Sequence, residues 1–307
     1  MKFADQLLIR RKNTFIEFKG SVKFKSMVKN FLKGKNILEI SPCFFPVIEK
    51  NNSYNLDYCD RISYSDLVER EKNNQYRIDN NAQVLNLDFQ WPEDQRLVDC
   101  TKKKYDLITS SHVIEHVPNY IDWLHQHYEI LNVGGEVRLI IPNAHKSGEF
   151  IRRLSSASLA YEYFLEKRVK PSPSQVFDGL MSITEWNGKK YKKNILDYKR
   201  WYTYEEAVRI PTECNDRYID LHCWAWTAES FYDDFMLLKQ CNLLPFEIVN
   251  IEDGESIAGY PCDEFSVILK KVDNNFSIPS SIKNYWDKNK PKSSKFEKNL
   301  WSKLSRR

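Results

Sequence analysis

Short apolar runs separated by stretches of helical periodicity recur through the first half of the chain. The runs predict five buried strands, at residues 35–40, 53–57, 82–88, 105–110 and 136–142. Helices are predicted at residues 15–33, 65–72 and 120–131, the last with apolar side chains at every third or fourth position. Strands that alternate with helices in this way favour a parallel sheet with right-handed crossovers.

The alternation is interrupted over residues 143–226, which we interpret as an insertion over the sheet rather than a domain of its own. This segment contains the proline-rich stretch 168–174, which resists regular structure. Thr227 then predicts the cap of another helix, and residues 247–251 and 264–270 predict two closing strands. The pattern therefore predicts an α/β fold with a long insertion between strands five and six.

Charge is segregated along the chain although the formal net charge is only +4. Residues 1–36 carry ten Lys or Arg against two acidic residues, and residues 281–307 carry nine against two, so the middle is acidic. We therefore divide the chain into a basic helical segment (1–34), a central domain (35–272) and a basic tail (273–307). A nucleic-acid reader would carry its basic face on the domain itself, so no nucleic-acid partner is expected.

The seven cysteines are scattered and contain no CxxC pair, which favours reduced thiols in the cytoplasm over a disulfide framework or a zinc knuckle. No apolar stretch is long enough for a transmembrane helix, and the first twenty residues lack the apolar core of a secretory signal. We expect a cytoplasmic protein. The basic ends are either solvated tails or contacts for a partner or an anionic membrane, and contact with a membrane predicts a peripheral position at its inner face.

Polar residues follow successive predicted strands, at the sheet edge where open parallel sheets bind ligands. The residues predicted to bind a cofactor are Glu39, Ser41, Asp57, Asp88, Phe89, Ser111 and His112. A carboxylate after the second strand can accept both hydroxyls of a ribose, and a carboxylate beside an aromatic ring after the third can meet adenine. The series therefore predicts a nucleoside ligand.

Four segments and one acidic residue carry a family resemblance: residues 37–40 (ILEI), Asp57, and residues 87–89 (LDF), 105–118 (YDLITSSHVIEHVP) and 131–137 (LNVGGEV). In this order they resemble class I S-adenosylmethionine-dependent methyltransferases over residues 35–145. Residues 167–178 and 220–231 more loosely resemble a subgroup found beside glycosyltransferases in bacterial surface-polysaccharide (O-antigen or capsule) pathways.

The resemblance implies a Rossmann-like seven-stranded sheet with helices on both faces and S-adenosylmethionine as the cofactor. It also implies O-methylation of a sugar in a bacterial surface glycan or its precursor, with a glycosyltransferase or an anionic membrane as a partner for the basic ends. The chain departs from the family in the first loop, where Ser41 stands at a position usually held by glycine. A side chain there costs on the order of 1 kcal/mol. The alternative is a catalytically silent scaffold protein in polysaccharide assembly.

Deprotonation of a sugar hydroxyl needs a base, and histidine suits this role at neutral pH. His112 is the first candidate because it follows the fourth strand, and His222 and Asp178 from the insertion come next. Segment 112–116 also fits the H-x-x-E-H pattern of zinc peptidases, but Pro118 leaves little room for the helix that this pattern needs.

No metal site is predicted. Glu115 and His116 are the candidate ligands if methyl transfer uses a metal. The glycine-free first loop argues against a dinucleotide dehydrogenase, which would need G-x-G-x-x-G there.

Overall fold

The computed structural model describes residues 32–185, 194–213, 217–254 and 263–289. The helix predicted at 15–33 lies almost entirely outside these ranges, as does most of the basic tail. The chain divides into two compact units, 1–276 and 277–307. In the part of the chain that the structure describes, no helix combines the length and the apolar character needed to cross a membrane.

The first unit is built on a seven-stranded sheet, which confirms the predicted α/β fold. Its strands are β1 (Asn36–Ile40), β2 (Asn55–Asp60), β3 (Phe89–Gln90), β4 (Tyr105–Ser111), β5 (Leu131–Pro142), β6 (Glu247–Asp253) and β7 (Glu264–Lys270). The strand order is β3-β2-β1-β4-β5-β7-β6. The pairs among β1 to β5 are parallel, and β7 runs antiparallel to both of its neighbours.

Helices connect these strands. Those of the first unit are α1 (Tyr64–Glu71), α2 (Gln75–Asp79), α3 (Leu97–Cys100), α4 (Tyr120–Ile130), α5 (Ala157–Leu165), α6 (Pro173–Ser182), α7 (Tyr204–Glu213) and α8 (Ala228–Gln240). Single 3-10 turns lie at Ile114–His116, Ala144–Lys146 and Ile195–Asp197. The second unit contains α9 (Ser280–Lys288). As predicted, Thr227 caps α8, in a reciprocal capping box with Ser230.

The second and third strands differ from their predicted positions. Strand β2 continues to Asp60 because Cys59 still pairs with Ile40 of β1, and Asp60 pairs with Gln90 of β3. The predicted third strand at 82–88 is wrong, since β3 contains only Phe89 and Gln90. Within 82–88 the backbone makes separate contacts instead, such as the hydrogen bond from the Leu85 N–H to the carbonyl of Cys43.

Strand order reverses between β1 and β4, which both lie at the centre of the sheet. Their apolar side chains form the deepest part of the core, and Leu38 and Ile108 are fully buried. In sheets of this kind the space beyond the carboxyl ends at the reversal is where ligands bind. The loop after β1 and the turn after β4 therefore define the candidate site.

The insertion returns to the sheet beside this reversal. Trp226 forms a parallel bridge with Asn143, which directly follows β5. Trp224 and Trp226 are both buried and stack with 5.7 Å between ring centroids. They therefore form core rather than an exposed platform for stacking on a sugar. The packing brings the N–H groups of Cys223 and Trp224 to the carbonyl of Glu115, at 2.6 and 3.1 Å.

Lys271, just after β7, is buried, and its side chain forms hydrogen bonds with the carboxyl end of α4. Its Nζ donates to the carbonyls of Tyr128 (2.7 Å) and Leu131 (2.9 Å) and lies 4.1 Å from the centroid of the Tyr128 ring. A cation at this place satisfies carbonyls that the end of a helix leaves unpaired.

We expect Lys271→Met to lower the free energy of unfolding by about 1.5–3 kcal/mol, because two carbonyls lose a charged donor. Urea denaturation measures the effect. Lys270→Met, the same change on the neighbouring residue, is the matched control and should stay within about 0.5 kcal/mol of the wild type. Equal stability of the two variants would contradict this role of Lys271.

Candidate functional site

The loop after β1 is held by the carboxylate of Glu39. This buried carboxylate accepts hydrogen bonds from the N–H groups of Val47 (2.6 Å) and Ile48 (2.9 Å). Ser41 and Cys43 adopt left-handed backbone conformations, with φ of 53° and 50°. The loop thus takes a path that favours glycine, although it contains none, at a cost of about 1–2 kcal/mol per residue. Glu39 acts here on the loop itself.

Asp60 is the acidic residue that ends β2, and it lies beside Ser41. Its carboxylate is buried and accepts from the N–H of Ile62 at 3.1 Å. Burial raises the pKa of Asp60, opposed by the hydrogen bonds from Ile62 and Ser41 and by the charge of Arg70. The cofactor-binding residues predicted from the sequence do not include Asp60. The sequence signal that could have found it is Tyr58 and Cys59, which extend the apolar strand pattern past Asp57 as far as Asp60.

The structure places Asp57 within β2, three residues before its carboxyl end, which corresponds to about 10 Å of strand. The expectation that Asp57 ends its strand is therefore wrong. Its carboxylate lies 2.8 Å from the Nζ of Lys103 and accepts from the hydroxyl of Tyr105 at 2.8 Å. These contacts neutralise the charge that was expected to meet a ribose.

Asp57 and Asp88 line the same cavity, of about 450 Å³. It is also lined by Phe89 and by Cys100, Thr101, Lys102 and Lys103. Asp88 pairs with the Nζ of Lys50 at 2.7 Å and accepts from the N–H of Tyr58 at 2.6 Å. The two predicted acids are thus brought together, but each is paired with a lysine beside the sheet.

His112 directly follows Ser111, the last residue of β4, and adopts a left-handed backbone conformation (φ 55°). Its N–H donates to the carbonyl of Ile140 at 3.0 Å, and its Nε2 lies 2.7 Å from Oε1 of Glu264. Burial alone would lower the pKa of His112. The hydrogen bond to Glu264 and the charges of Glu115 and Glu264 outweigh burial, so the pKa is raised.

Glu115 lies at the centre of a cluster of imidazoles, in the 3-10 turn after β4. Its side chain is fully buried, and neither carboxylate oxygen has a hydrogen-bond partner among the described residues. Oε1 lies 3.7 Å from Nδ1 of His112, 3.9 Å from Nε2 of His116 and 4.0 Å from Nε2 of His222. The fold thus brings the predicted residues His112 and His222 to the same carboxylate.

A second layer of carboxylates supports the histidines. Nδ1 of His116 lies 2.8 Å from Oδ1 of Asp220, and Nδ1 of His222 bonds to Oε2 of Glu149. Burial would raise the pKa of Glu149, but the charges of His222 and Arg152 outweigh it and lower the pKa to about 2. A carboxylate that stays ionised fixes the orientation of the imidazole bonded to it.

Asp178 is the predicted catalytic residue that contacts an arginine, whereas His112 and His222 lie beside Glu115. Its Oδ2 accepts from Nε of the buried Arg152 at 2.5 Å, and its side chain is half exposed. Arg152 also donates to Glu149 at 2.9 Å. Asp178 thus joins the network at the end of a chain of ion pairs rather than at the imidazoles.

A family model described as a methyltransferase domain matches residues 44–187. This range covers the turn after β4 with Glu115 and His116 and much of the insertion. No curated protein matches the sequence. The match indicates a methyltransferase domain over residues 44–187, and with it an S-adenosylmethionine-dependent methyltransferase. S-adenosylmethionine is accordingly the cofactor of this methyltransferase, as predicted.

Solved methyltransferase structures resemble the chain at low identity. The plantazolicin methyltransferase BpumL in complex with SAH is 12% identical, with a TM-score of 0.41, over 87% of this chain and 89% of that one. A methyltransferase from Clostridium acetobutylicum ATCC 824 is 11% identical (TM-score 0.39; 83% and 92% covered). The CurJ carbon methyltransferase is 11% identical (TM-score 0.40), over 83% of this chain and 54% of its own.

The residues at the sheet edge of this methyltransferase fit the cofactor. The buried carboxylate of Asp60, at the carboxyl end of β2, can accept hydrogen bonds from ribose hydroxyls. The left-handed turn at Ser41 and Cys43 gives the first loop the backbone path that a glycine-rich loop would take. Asp60 and this loop would hold the nucleoside.

We expect Asp60→Ala to weaken binding of S-adenosylhomocysteine at least tenfold, because two hydroxyls lose their acceptor. Asp57→Ala should weaken it less than threefold, since Asp57 is occupied by Lys103. Calorimetric titration of the two variants side by side measures both. If Asp57→Ala weakens binding more than Asp60→Ala does, Asp57 rather than Asp60 binds the ribose.

Proposed function

We propose that this methyltransferase methylates a hydroxyl group of a sugar in a bacterial surface glycan or its precursor. The observation that carries the proposal is the position of His112, at the carboxyl end of β4 beside a cluster of imidazoles and carboxylates. The resemblance of residues 167–178 and 220–231 to glycan-associated methyltransferases supports the choice of a sugar.

His112 is suited to remove the proton of an acceptor hydroxyl. A neutral hydroxyl is a poor nucleophile, so a base that takes its proton in the transition state speeds the transfer. When the Nε2–H of His112 donates to Glu264, Nδ1 is left as the atom that accepts a proton. S-adenosylmethionine supplies the methyl group, on a positively charged sulfur. Glu264 acts as a positioning residue that fixes the tautomer.

The surroundings of His112 suit a polyhydroxylated acceptor. The side chains of His112, His116 and His222 are 24%, 19% and 27% exposed, so a ligand can reach the cluster. Asp220, also partly exposed, adds carboxylate oxygens next to His116. Imidazole nitrogens and carboxylate oxygens accept hydrogen bonds from hydroxyl groups, which a sugar offers in number.

The basic ends of the chain extend the proposal to its location. Residues 1–36 and 281–307 would bring a cytoplasmic enzyme to an anionic membrane surface or to a glycosyltransferase that makes its acceptor. Because positive charge is concentrated at the ends, we propose no nucleic-acid substrate.

We expect His112→Ala to lower kcat at least a hundredfold, since a general base contributes about 10²- to 10⁴-fold. Release of S-adenosylhomocysteine measures turnover with a panel of sugars, nucleotide sugars and lipid-linked sugars. Binding of S-adenosylhomocysteine should stay within threefold of the wild type. His145→Ala, a histidine outside the cluster, is the matched control.

If His112→Ala turns over as fast as the wild type, His112 is not the base. If peptides or carbon acids accept the methyl group and no sugar does, the proposed substrate class is wrong. Binding of the cofactor without turnover on any acceptor would instead favour the silent scaffold.

A further inference from the structure

We propose that Glu115, His116 and His222 bind a divalent transition-metal ion at the carboxyl end of β4. One ligand atom from each of the three residues lies within 4.8 Å of the others. Two of them come from the turn after β4, and the third comes from the end of the insertion. Two imidazoles and one carboxylate form a three-ligand set that leaves coordination positions open.

The first argument is the state of Glu115. Its side chain has 0% exposure, and both oxygens lack a hydrogen-bond partner among the described residues. A buried carboxylate without a hydrogen bond or a cation is strongly unfavourable. Within the described part of the chain, the basic nitrogens found within 4.0 Å of it belong to His112, His116 and His222. None of these distances is short enough for a hydrogen bond.

The second argument is the tautomer of the two histidines. Nδ1 of His116 is bonded to Asp220, and Nδ1 of His222 is bonded to Glu149. Since a carboxylate accepts the Nδ1–H in each case, the Nε2 of each ring carries a lone pair once the ring is neutral, as a histidine that binds a metal must be. Two lone pairs and a carboxylate then converge on one point and repel each other unless a cation lies between them. Histidines backed by carboxylates in this way are typical of metal sites.

The distances agree with a metal of this class. Nε2 of His116 and Nε2 of His222 lie 3.9 and 4.0 Å from Oε1 of Glu115. Ligand atoms bonded to one ion at about 2.0–2.2 Å lie roughly 3–3.5 Å apart in tetrahedral or octahedral geometry. These two pairs therefore need to approach by about 1 Å or less when the ion binds. The ligand atoms of the two imidazoles, which lie within 4.8 Å of each other, need to approach by less than about 2 Å.

The donor set decides the kind of metal. Imidazole favours zinc, iron, cobalt and related ions, whereas magnesium and calcium prefer oxygen ligands. We therefore assign the site to an ion of the manganese-to-zinc series. The two histidines are 19% and 27% exposed, so the open positions face a path by which a ligand can enter.

The role of the ion rests on the proposed function. An ion held by Glu115, His116 and His222 would lower the pKa of an acceptor hydroxyl, and Nδ1 of His112, which lies 3.7 Å from Oε1 of Glu115, would take the proton. The hydroxyl oxygen would then form the bond to the methyl carbon as the carbon–sulfur bond of the methyl donor breaks. The products are the methyl ether, S-adenosylhomocysteine and one proton, held by His112.

Metal binding is measured on the full chain after treatment with a chelator, without methyl donor or acceptor. Calorimetric titration with Zn²⁺ and with Mn²⁺ should give one site per chain, and Mg²⁺ should bind at least a hundredfold more weakly. Glu115→Gln and His222→Ala should each lower the affinity for Zn²⁺ at least tenfold, because each removes a ligand. His145→Ala makes the same chemical change outside the cluster and should bind like the wild type.

Two results would overturn the site: no binding of Zn²⁺ or Mn²⁺ by the wild-type chain at millimolar metal, or equal binding by the wild type and both ligand variants. Binding of S-adenosylhomocysteine by each variant shows whether it has folded. If Glu115→Gln fails to fold, His222→Ala still tests the site, because the side chain of His222 is partly exposed.

If the chain binds the metal but methylates no sugar, the proposed function is wrong and the metal site is still supported. If the chain methylates sugars but binds no metal, the proposed function is supported and the metal site is wrong.

Discussion

The burial of one carboxylate organises the functional end of this methyltransferase. Glu115 has no exposure, and its backbone carbonyl receives the N–H groups of Cys223 and Trp224. The same residue thus joins the turn after β4 to the end of the insertion. A buried carboxylate requires a compensating charge, which the proposed metal ion, held together with the imidazoles of His116 and His222, would supply. His222 directly precedes the two residues that make this contact, and its Nε2 lies 4.0 Å from Oε1 of Glu115.

Backbone strain occurs at the same edge of the sheet. Six of the described non-glycine residues have positive φ, and three of them, Ser41, Cys43 and His112, follow the central strands β1 and β4. Such conformations persist where the surrounding structure holds them, often at functional sites. The turn at His112 is held by its hydrogen bonds to Ile140 and Glu264. The glycine-free first loop is therefore a strained version of a glycine-rich one.

Local periodicity predicts where a strand lies better than where it ends. The apolar residues around Leu56 predict β2, but its last pairs depend on β1 and β3. For this reason the sequence favours Asp57 and the structure places Asp60 at the sheet edge. The short β3 was missed because residues 82–88 carry a strand-like pattern without a partner for regular pairing. Hydrogen bonding to a neighbouring strand determines both the end of β2 and the position of β3.

The order of the strands and helices, the position of His112 after β4 and the cap at Thr227 follow from local patterns, since each depends on neighbouring residues. The meeting of Glu115 with His222, and of each histidine with its carboxylate, depends on how the insertion folds back over the sheet. Contacts between residues so far apart in the chain are fixed by packing and burial, which leave no periodic signal in the sequence. The sequence by itself therefore determined the framework and its methyl-transfer chemistry, and only the tertiary structure decided which side chains share the site.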